Sequence, residues 1–402
     1  MRLHRNLVLA IADAFHQICN TSLYADKVIE RILKKDKRWG ARDRAFIAEN
    51  TYELVRYRRW YAAAAEVDSF DTSSIWKMIG TRFVLEGYPL PDWPEFFKVN
   101  PKKITERAKK LSKNPKIAES FPDWLYYLGI ESLGEAFWLK EIHALNQQAP
   151  VILRTNSLKI GRNDLLQQLN KENIASRAVT GSNVGVILEE KSNIFNTEAF
   201  KNGYFEVQDT ASQLVSEFAE PSSSDCVVDA CAGAGGKSLH LAALMQNKGQ
   251  IIALDIYDKK LIELKRRARR AGAHNVEPRL ITSSKVIKKL NNRADITLID
   301  APCSGLGVLR RNPDTKWKLS PEKLQELIAT QQELLQSYST MVKPGGKLIY
   351  VTCSILPEEN KQQIDYFLNS EAGKSFNFVE EKKIFAHING TDGFYMCKLQ
   401  KQ

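Results

Sequence analysis

Two cysteines in this 402-residue chain stand in nearly matching settings. Ile296-Thr297-Leu298-Ile299-Asp300 runs into Ala301-Pro302-Cys303-Ser304-Gly305, and Ile349-Tyr350-Val351 runs into Thr352-Cys353-Ser354. A thiol whose pKa is lowered by nearby donors or positive charge is a strong nucleophile, so either cysteine could bond to an electron-poor carbon. An isolated cysteine is more simply a small buried hydrophobe. A pair, each leaving an apolar run and each followed by serine, points to chemistry. The six cysteines contain no Cys-x-x-Cys pair and sit near no histidine cluster. Neither a metal site nor a disulfide framework is indicated, and a reducing cytoplasm fits.

A second feature lies upstream. Val227-Val228-Asp229-Ala230-Cys231-Ala232-Gly233-Ala234-Gly235-Gly236-Lys237-Ser238 reads as a short strand, a tight loop and a helix start carrying Leu239, Leu241, Leu244 and Met245. The glycines allow a close backbone approach to a ligand, and the helix N-terminus offers free N–H groups. Gly236-Lys237-Ser238 also resembles the end of a phosphate-binding Walker loop, but Cys231 stands where that loop needs a glycine. Ile251-Ile252-Ala253-Leu254-Asp255 then closes on a carboxylate. An acid at that place accepts hydrogen bonds from ribose hydroxyls in dinucleotide and adenosyl folds, and it can also cap the helix beginning near Asp258.

These residues need a scaffold that brings them together. From about residue 205, apolar runs at 226–229, 250–255, 277–281, 295–300 and 346–352 alternate with helical patterns. That order predicts a mostly parallel sheet covered by helices on both faces, with ligands at the carboxyl ends of the strands. Three regions are expected: an all-helical domain at 1–140, a small α+β subdomain at 141–205, and the α/β domain at 206–402. In the first, Leu7, Ile11, Ala14, Phe15 and Ile18 share one helix face. Asp43 can cap a helix bearing Ile47, Leu54 and Tyr61, and Pro89 to Pro94 marks a turn.

Lys plus Arg number 58 and Asp plus Glu 47, a formal charge of +11, which makes RNA or DNA a plausible partner. Basic runs occur at Lys34 to Arg44, Lys102 to Lys110 and Lys259 to Arg270. No apolar run approaches the roughly 20 residues of a spanning helix, so a membrane is not expected. Arg310, Arg311, Lys316 and Trp317 form a basic, aromatic loop suited to phosphate contact and base stacking.

Together the motifs make the chain similar to RsmB-type RNA (cytosine-5) methyltransferases. The resemblance rests on Gly203 to Asp209, Asp229 to Lys237, Asp300 to Gly305, Gly307 to Asp314 with Lys316-Trp317, Thr352-Cys353-Ser354 with Pro357 to Asn360, and Asp392-Gly393-Phe394-Tyr395. It implies an S-adenosylmethionine (SAM)-dependent Rossmann-like methyltransferase domain behind a NusB-like RNA-binding domain. It further implies 5-methylcytosine formation in small-subunit (16S) ribosomal RNA; a monomer is the default expectation, with no metal and a cytoplasmic location expected from the cysteines. By the same resemblance Cys353 is the nucleophile, Cys303 helps remove the carbon-5 proton or release the adduct, and Asp300 acts on the ring edge and lies by the cofactor. The cofactor would rest on Cys231, Ala232, Gly233, Ala234, Gly235, Gly236, Lys237 and Asp255. Gly233-Ala234 departs from the Ala-Pro usual there, which predicts a less rigid loop. Thr282, Ser283 and Ser284 stand where the family tends to place an acid near the adenine. Transfer RNA as substrate, a cofactor-holding RNA-binding factor without turnover, and a nucleotide phosphatase are the competing readings.

Overall fold

The computed structural model describes residues 3–190 and 192–402. The chain divides into two compact units, Met1–Gln147 with Val308–Pro321, and Gln148–Gly307 with Glu322–Gln402. The expected helical domain therefore gains a distant segment, and the boundary expected near 140 falls at 147.

Helices build the first unit. In Arg5–Asn20 the residues Leu7, Ile11, Ala14, Phe15 and Ile18 are all buried, as their spacing requires. Asp43 lies in the first turn of Ala41–Arg56, where its carboxylate accepts the N–H of Gly40 at 3.2 Å. Ile47 and Leu54 are buried along that helix, but Tyr57 leaves helical geometry and Tyr61 belongs to the next helix, Arg58–Ala65. One expected face is thus shared by two helices. On Pro101–Leu111, Ile104 and Ala108 face the core while Lys102, Lys103, Lys109 and Lys110 face solvent.

The segment 308–321 is packed into this unit, which corrects the expectation for two of its residues. Lys316 is fully buried, with Nζ donating to Asn146 Oδ1 at 3.1 Å and lying 4.3 Å from the centre of the Phe121 ring. Trp317 donates its indole N–H to the Val55 carbonyl at 2.7 Å, and the Arg58 guanidinium covers its ring at 4.1 Å. Arg310 is nearly buried, its carbonyl accepting from Arg56 at 3.0 Å, and Arg311 is half-buried. Asp314 accepts the N–H of Ala25 at 2.7 Å. A lysine and a tryptophan that could meet phosphate and base instead meet the aromatic rings and carbonyls of their own chain. Burial, with Arg56 adding like charge, pushes the Lys316 ammonium well below its ordinary pKa.

The second unit holds two sheets. Strands β1 (Ile152–Thr155), β2 (Ser176–Ala178), β3 (Gly185–Leu188) and β4 (Phe205–Val207) form an antiparallel sheet in the order β2-β3-β1-β4. The helix Arg162–Lys171 buries Leu165 and Leu169 in the same core as Leu153, Val186 and Phe205. The larger sheet comprises β5 (Cys226–Asp229), β6 (Gln250–Asp255), β7 (Val276–Leu280), β8 (Ala294–Asp300), β9 (Val342–Thr352), β10 (Phe376–Ile384) and β11 (Phe394–Lys401). Its order is β10-β11-β9-β8-β5-β6-β7. The run β9-β8-β5-β6-β7 is parallel, and β11 and β10 extend it antiparallel. The parallel strands are those expected; the two antiparallel ones are additions. Because the chain builds outward from β5 in both directions, a crevice opens at the carboxyl ends of β5 and β8.

Burial of Lys316 predicts that Lys316→Met leaves the affinity for RNA within about twofold, since no phosphate contact is lost. Filter binding at fixed salt measures it; a tenfold loss would return Lys316 to the RNA surface.

Candidate active site

Each element of the crevice delivers its residue for a physical reason. β5 ends at Asp229, fully buried, whose Oδ2 accepts the Ser238 hydroxyl at 2.6 Å while Oδ1 has no protein partner. Burial raises this carboxyl to about 7, with the Asp300 charge adding to the rise and the Ser238 bond opposing it. The chain then turns through the glycine loop. Ala232 N–H bonds to the Leu254 carbonyl at 2.8 Å, and Gly233 N–H bonds to Asp255 Oδ2 at 2.9 Å. Gly235 has φ of +85°, and a Cβ there would lie 2.6 Å from Leu264. Only glycine allows that turn under that helix.

The loop lacks the usual proline but is braced from outside. Arg267 Nη1 donates to the Ala234 carbonyl at 2.9 Å, and Arg154 Nη1 donates to the Gly236 carbonyl at 2.7 Å. Arg267 is in turn fixed by Glu206 on β4, at 2.9 and 3.2 Å, with Arg270 pairing the same carboxylate. Arg154 comes from β1, is fully buried, and shares Gln208 at 2.5 Å. The small antiparallel sheet thus clamps the loop directly through Arg154 and fixes the second clamp, Arg267 of the helix Asp258–Ala271, through Glu206. Charge-assisted bonds of this kind are about twice as strong as neutral ones.

β6 ends at Asp255, nearly buried, with Oδ1 accepting the Tyr257 N–H at 2.8 Å. Each of its oxygens keeps a lone pair after these bonds. Cys231 lies between β5 and the loop, and burial raises its thiol far out of the reactive range. It packs rather than reacts. Lys237 reaches over the Phe394 ring and pairs with Asp300 Oδ2 at 2.6 Å. Burial alone would depress this ammonium, yet Asp300, Cys353 and Asp229 favour its charged form and hold it above its ordinary pKa.

The paired strands β8 and β9 bring the two cysteines together. Their register sets Ile299 beside Tyr350 and Asp300 beside Val351, and Ala301 N–H bonds to the Val351 carbonyl at 2.9 Å. Cys303 Sγ and Cys353 Sγ stand 3.3 Å apart. The hydrogen bond to Cys353, then burial, raise the Cys303 thiol well above its ordinary pKa. Cys303 is thereby held as the thiol. Gly307 closes the site from below: its N–H bonds to the Cys353 carbonyl at 2.9 Å, and a Cβ would sit 2.1 Å from the Gly393 carbonyl oxygen.

The structure therefore gathers Asp229, the glycine loop, Lys237, Asp255, Asp300, Cys303 and Cys353 in one unit. Arg310, Arg311, Lys316 and Trp317 belong to the other. Sequence reading gave no role to Arg154, to Glu206 within the quoted Gly203 to Asp209 stretch, or to Arg267 within the Lys259 to Arg270 run, because their partners lie 33 to 82 positions away. It also gave Glu359 no role, although the quoted Pro357 to Asn360 stretch contains it.

A parallel sheet with a glycine loop after its central strand and an acid ending the next defines a Rossmann-like methyltransferase fold. The model of the 16S rRNA methyltransferase RsmB/F family matches residues 217–400, and the RsmF/B-like ferredoxin-like domain matches residues 121–195. The chain is 32% identical over 324 residues to the "Probable ribosomal RNA small subunit methyltransferase B" of Synechocystis sp., covering 74% of this chain and 71% of that one. Among solved structures, PH0851 aligns over 100% of both chains with a TM-score of 0.83 and 24% identity. NSun6 from Pyrococcus horikoshii, solved with the SAM analogue SFG, aligns over 70% of this chain and 99% of its own, with a TM-score of 0.64 and 21% identity. The chain belongs to the RsmB/F methyltransferase family.

Two outcomes test these electrostatics. Arg267→Met should raise amide exchange at residues 232–236 by about tenfold, read by hydrogen-exchange NMR, because one charged bond is lost. An acid whose folded pKa is raised stabilises the fold below its unfolded value and loses that contribution as pH rises through the folded one. For Asp229 the loss falls between about pH 4 and 7. Asp229→Asn should therefore raise the melting temperature more at pH 8 than at pH 5, by calorimetry.

Proposed function

We propose that the chain is a SAM-dependent RNA methyltransferase that forms 5-methylcytosine in small-subunit ribosomal RNA through a covalent bond to Cys353. The observation that carries this reading is the 3.3 Å Cys303–Cys353 contact at adjacent strand ends, in the same crevice as the Lys237–Asp300 pair. The names of the relatives and the +11 charge support RNA as substrate.

The site's donors suit SAM. Asp229 Oδ1, buried and without a protein partner, fits a cationic donor such as the methionyl ammonium, and the spare lone pairs of Asp255 suit ribose hydroxyls. The glycine loop residues 231–237 would hold the methionine part. When bound, SAM supplies an electrophilic methyl group.

Carbon-5 of cytosine is too electron-poor to take that methyl group unaided. Addition of the Cys353 thiolate to carbon-6 forms a carbon–sulfur bond and moves the ring π electrons to carbon-5, which becomes nucleophilic. Asp300, paired with Lys237, would hydrogen-bond the ring edge, with the Lys237 ammonium supplying positive charge as negative charge grows on the ring. Forming the thioether also weakens the hydrogen bond between Cys303 and the Cys353 sulfur, the largest cause of the raised Cys303 pKa. Cys303 can then lose its proton to solvent, accept the carbon-5 proton, and let Cys353 leave as thiolate. The free enzyme thus keeps Cys303 protonated, and the adduct makes it a base. A flipped or unpaired cytosine is required, since the reacting atoms are covered in a stacked helix.

Cys353→Ala should abolish transfer of label from tritiated SAM to RNA, by at least about 10⁴-fold, and full activity would sink the mechanism. Cys303→Ala should still form the adduct but release it slowly, leaving an RNA-linked band on a denaturing gel. Bisulfite sequencing of RNA from cells lacking the protein identifies the modified cytosine.

A further inference from the structure

Glu359 lies fully buried behind the cysteine pair, and its carboxylate touches both loops that carry the thiols. Oε1 accepts the backbone N–H of Ser304 at 2.7 Å and Gln331 Nε2 at 3.1 Å. Oε2 accepts the Ser304 hydroxyl at 2.5 Å and the Ser354 hydroxyl. Ser304 directly follows Cys303, and Ser354 directly follows Cys353. The two hydroxyls are also 3.2 Å from each other, so the acid closes a small ring between the loops.

We propose that Glu359 is the positioning residue of the cysteine pair, tying the loop after β8 to the loop after β9 and thereby setting the separation of the two thiols.

Three features support this assignment. All four donors are neutral, and a buried carboxylate held by neutral donors is a costly way to gain stability alone. The remaining bonds fix the clamp itself: Tyr350 OH donates to the Glu359 carbonyl at 2.8 Å, and Gln331 Nε2 also reaches the Pro302 carbonyl at 3.0 Å. Asn360 braces the β9 side alone, accepting from Thr352 Oγ1 at 2.5 Å and donating to the Ser354 carbonyl at 3.0 Å on either side of Cys353. The matching serines after each cysteine, unexplained by the transfer chemistry, are the two handles the acid grips. The Glu359 charge also favours the protonated form of Cys303.

The proposal rests on the methyltransferase reading only for its consequence in turnover, so it has a readout independent of activity. Diamide, a diazene oxidant, takes the two thiol hydrogens to become a hydrazine and leaves an S–S bond; its rate reports how well the pair is aligned. In the full chain without RNA, Glu359→Gln should form the Cys303–Cys353 disulfide at least about tenfold more slowly than wild type, mapped by peptide mass. Removing the negative charge would by itself make Cys303 more acidic and speed the reaction, so a slower one isolates geometry. In turnover the same variant should lower kcat by about 30-fold or more while KM for SAM stays within threefold. A folded Glu359→Gln protein whose oxidation rate and kcat match wild type overturns the proposal. If that variant fails to fold, Ser354→Ala and Ser304→Ala each cut one tether, and an unchanged oxidation rate in both overturns it equally. Wild-type protein inert toward RNA, but with the expected oxidation difference, would instead refute the methyltransferase reading and leave the clamp standing.

Discussion

Parallel pairing of β8 with β9 is the constraint on which the site depends. A parallel ladder holds neighbouring strands under 5 Å apart with their carboxyl ends on one side. Asp300 and Val351 are paired at that edge, so the loops that follow must emerge together. The two thiols, three residues beyond Asp300 (303 − 300) and two beyond Val351 (353 − 351), are thereby brought close. Their contact is a consequence of the sheet, sharpened by the carboxylate behind them. The Gly307 N–H bond to the Cys353 carbonyl and the shared Glu359 carboxylate join the two loops.

The electrostatics of the crevice follow from its dryness. Asp229, Asp255 and Asp300 crowd one end of the sheet with a single Lys237 among them. Burial makes such a cluster expensive unless protons or cations relieve it, which is why Asp229 rises and Lys237 stays charged. The same economy governs the thiols. The bond to Cys353 and burial hold Cys303 as the thiol, an effect of surroundings rather than of residue type.

The glycine loop shows how a local departure can be offset at long range. Gly233-Ala234 predicts a looser turn than Ala-Pro, and by backbone entropy alone that holds. Arg154 and Arg267 change the balance by pinning the carbonyls on either side of Gly235. The antiparallel subdomain, whose fold was legible but whose purpose was not, is therefore a buttress for the loop. The segment 308–321 carries the opposite lesson. Its arginines, lysine and tryptophan read as a nucleic-acid loop, because cation and aromatic groups attract each other whether the partner is RNA or a protein core. Burial decides between the two, and for Lys316 it decides for the core.

The sequence alone determined the parallel α/β sheet, since five apolar runs separated by helical patterns admit few other arrangements. It also marked the glycine loop, the acids at the strand ends and both cysteines, because each breaks an apolar strand with a residue able to do chemistry. Strand ends at 229, 255 and 300 coincide with the observed ones for the same reason. Tertiary structure alone decided which groups touch. The 3.3 Å thiol contact spans 50 positions, the Glu359 clamp reaches back 55, and the Arg154 brace spans 82. No local pattern encodes such distances, because they arise only when strands pair and loops fold over them. The raised pKa of the Cys303 thiol is likewise a property of its neighbours and burial, which exist only in the folded chain.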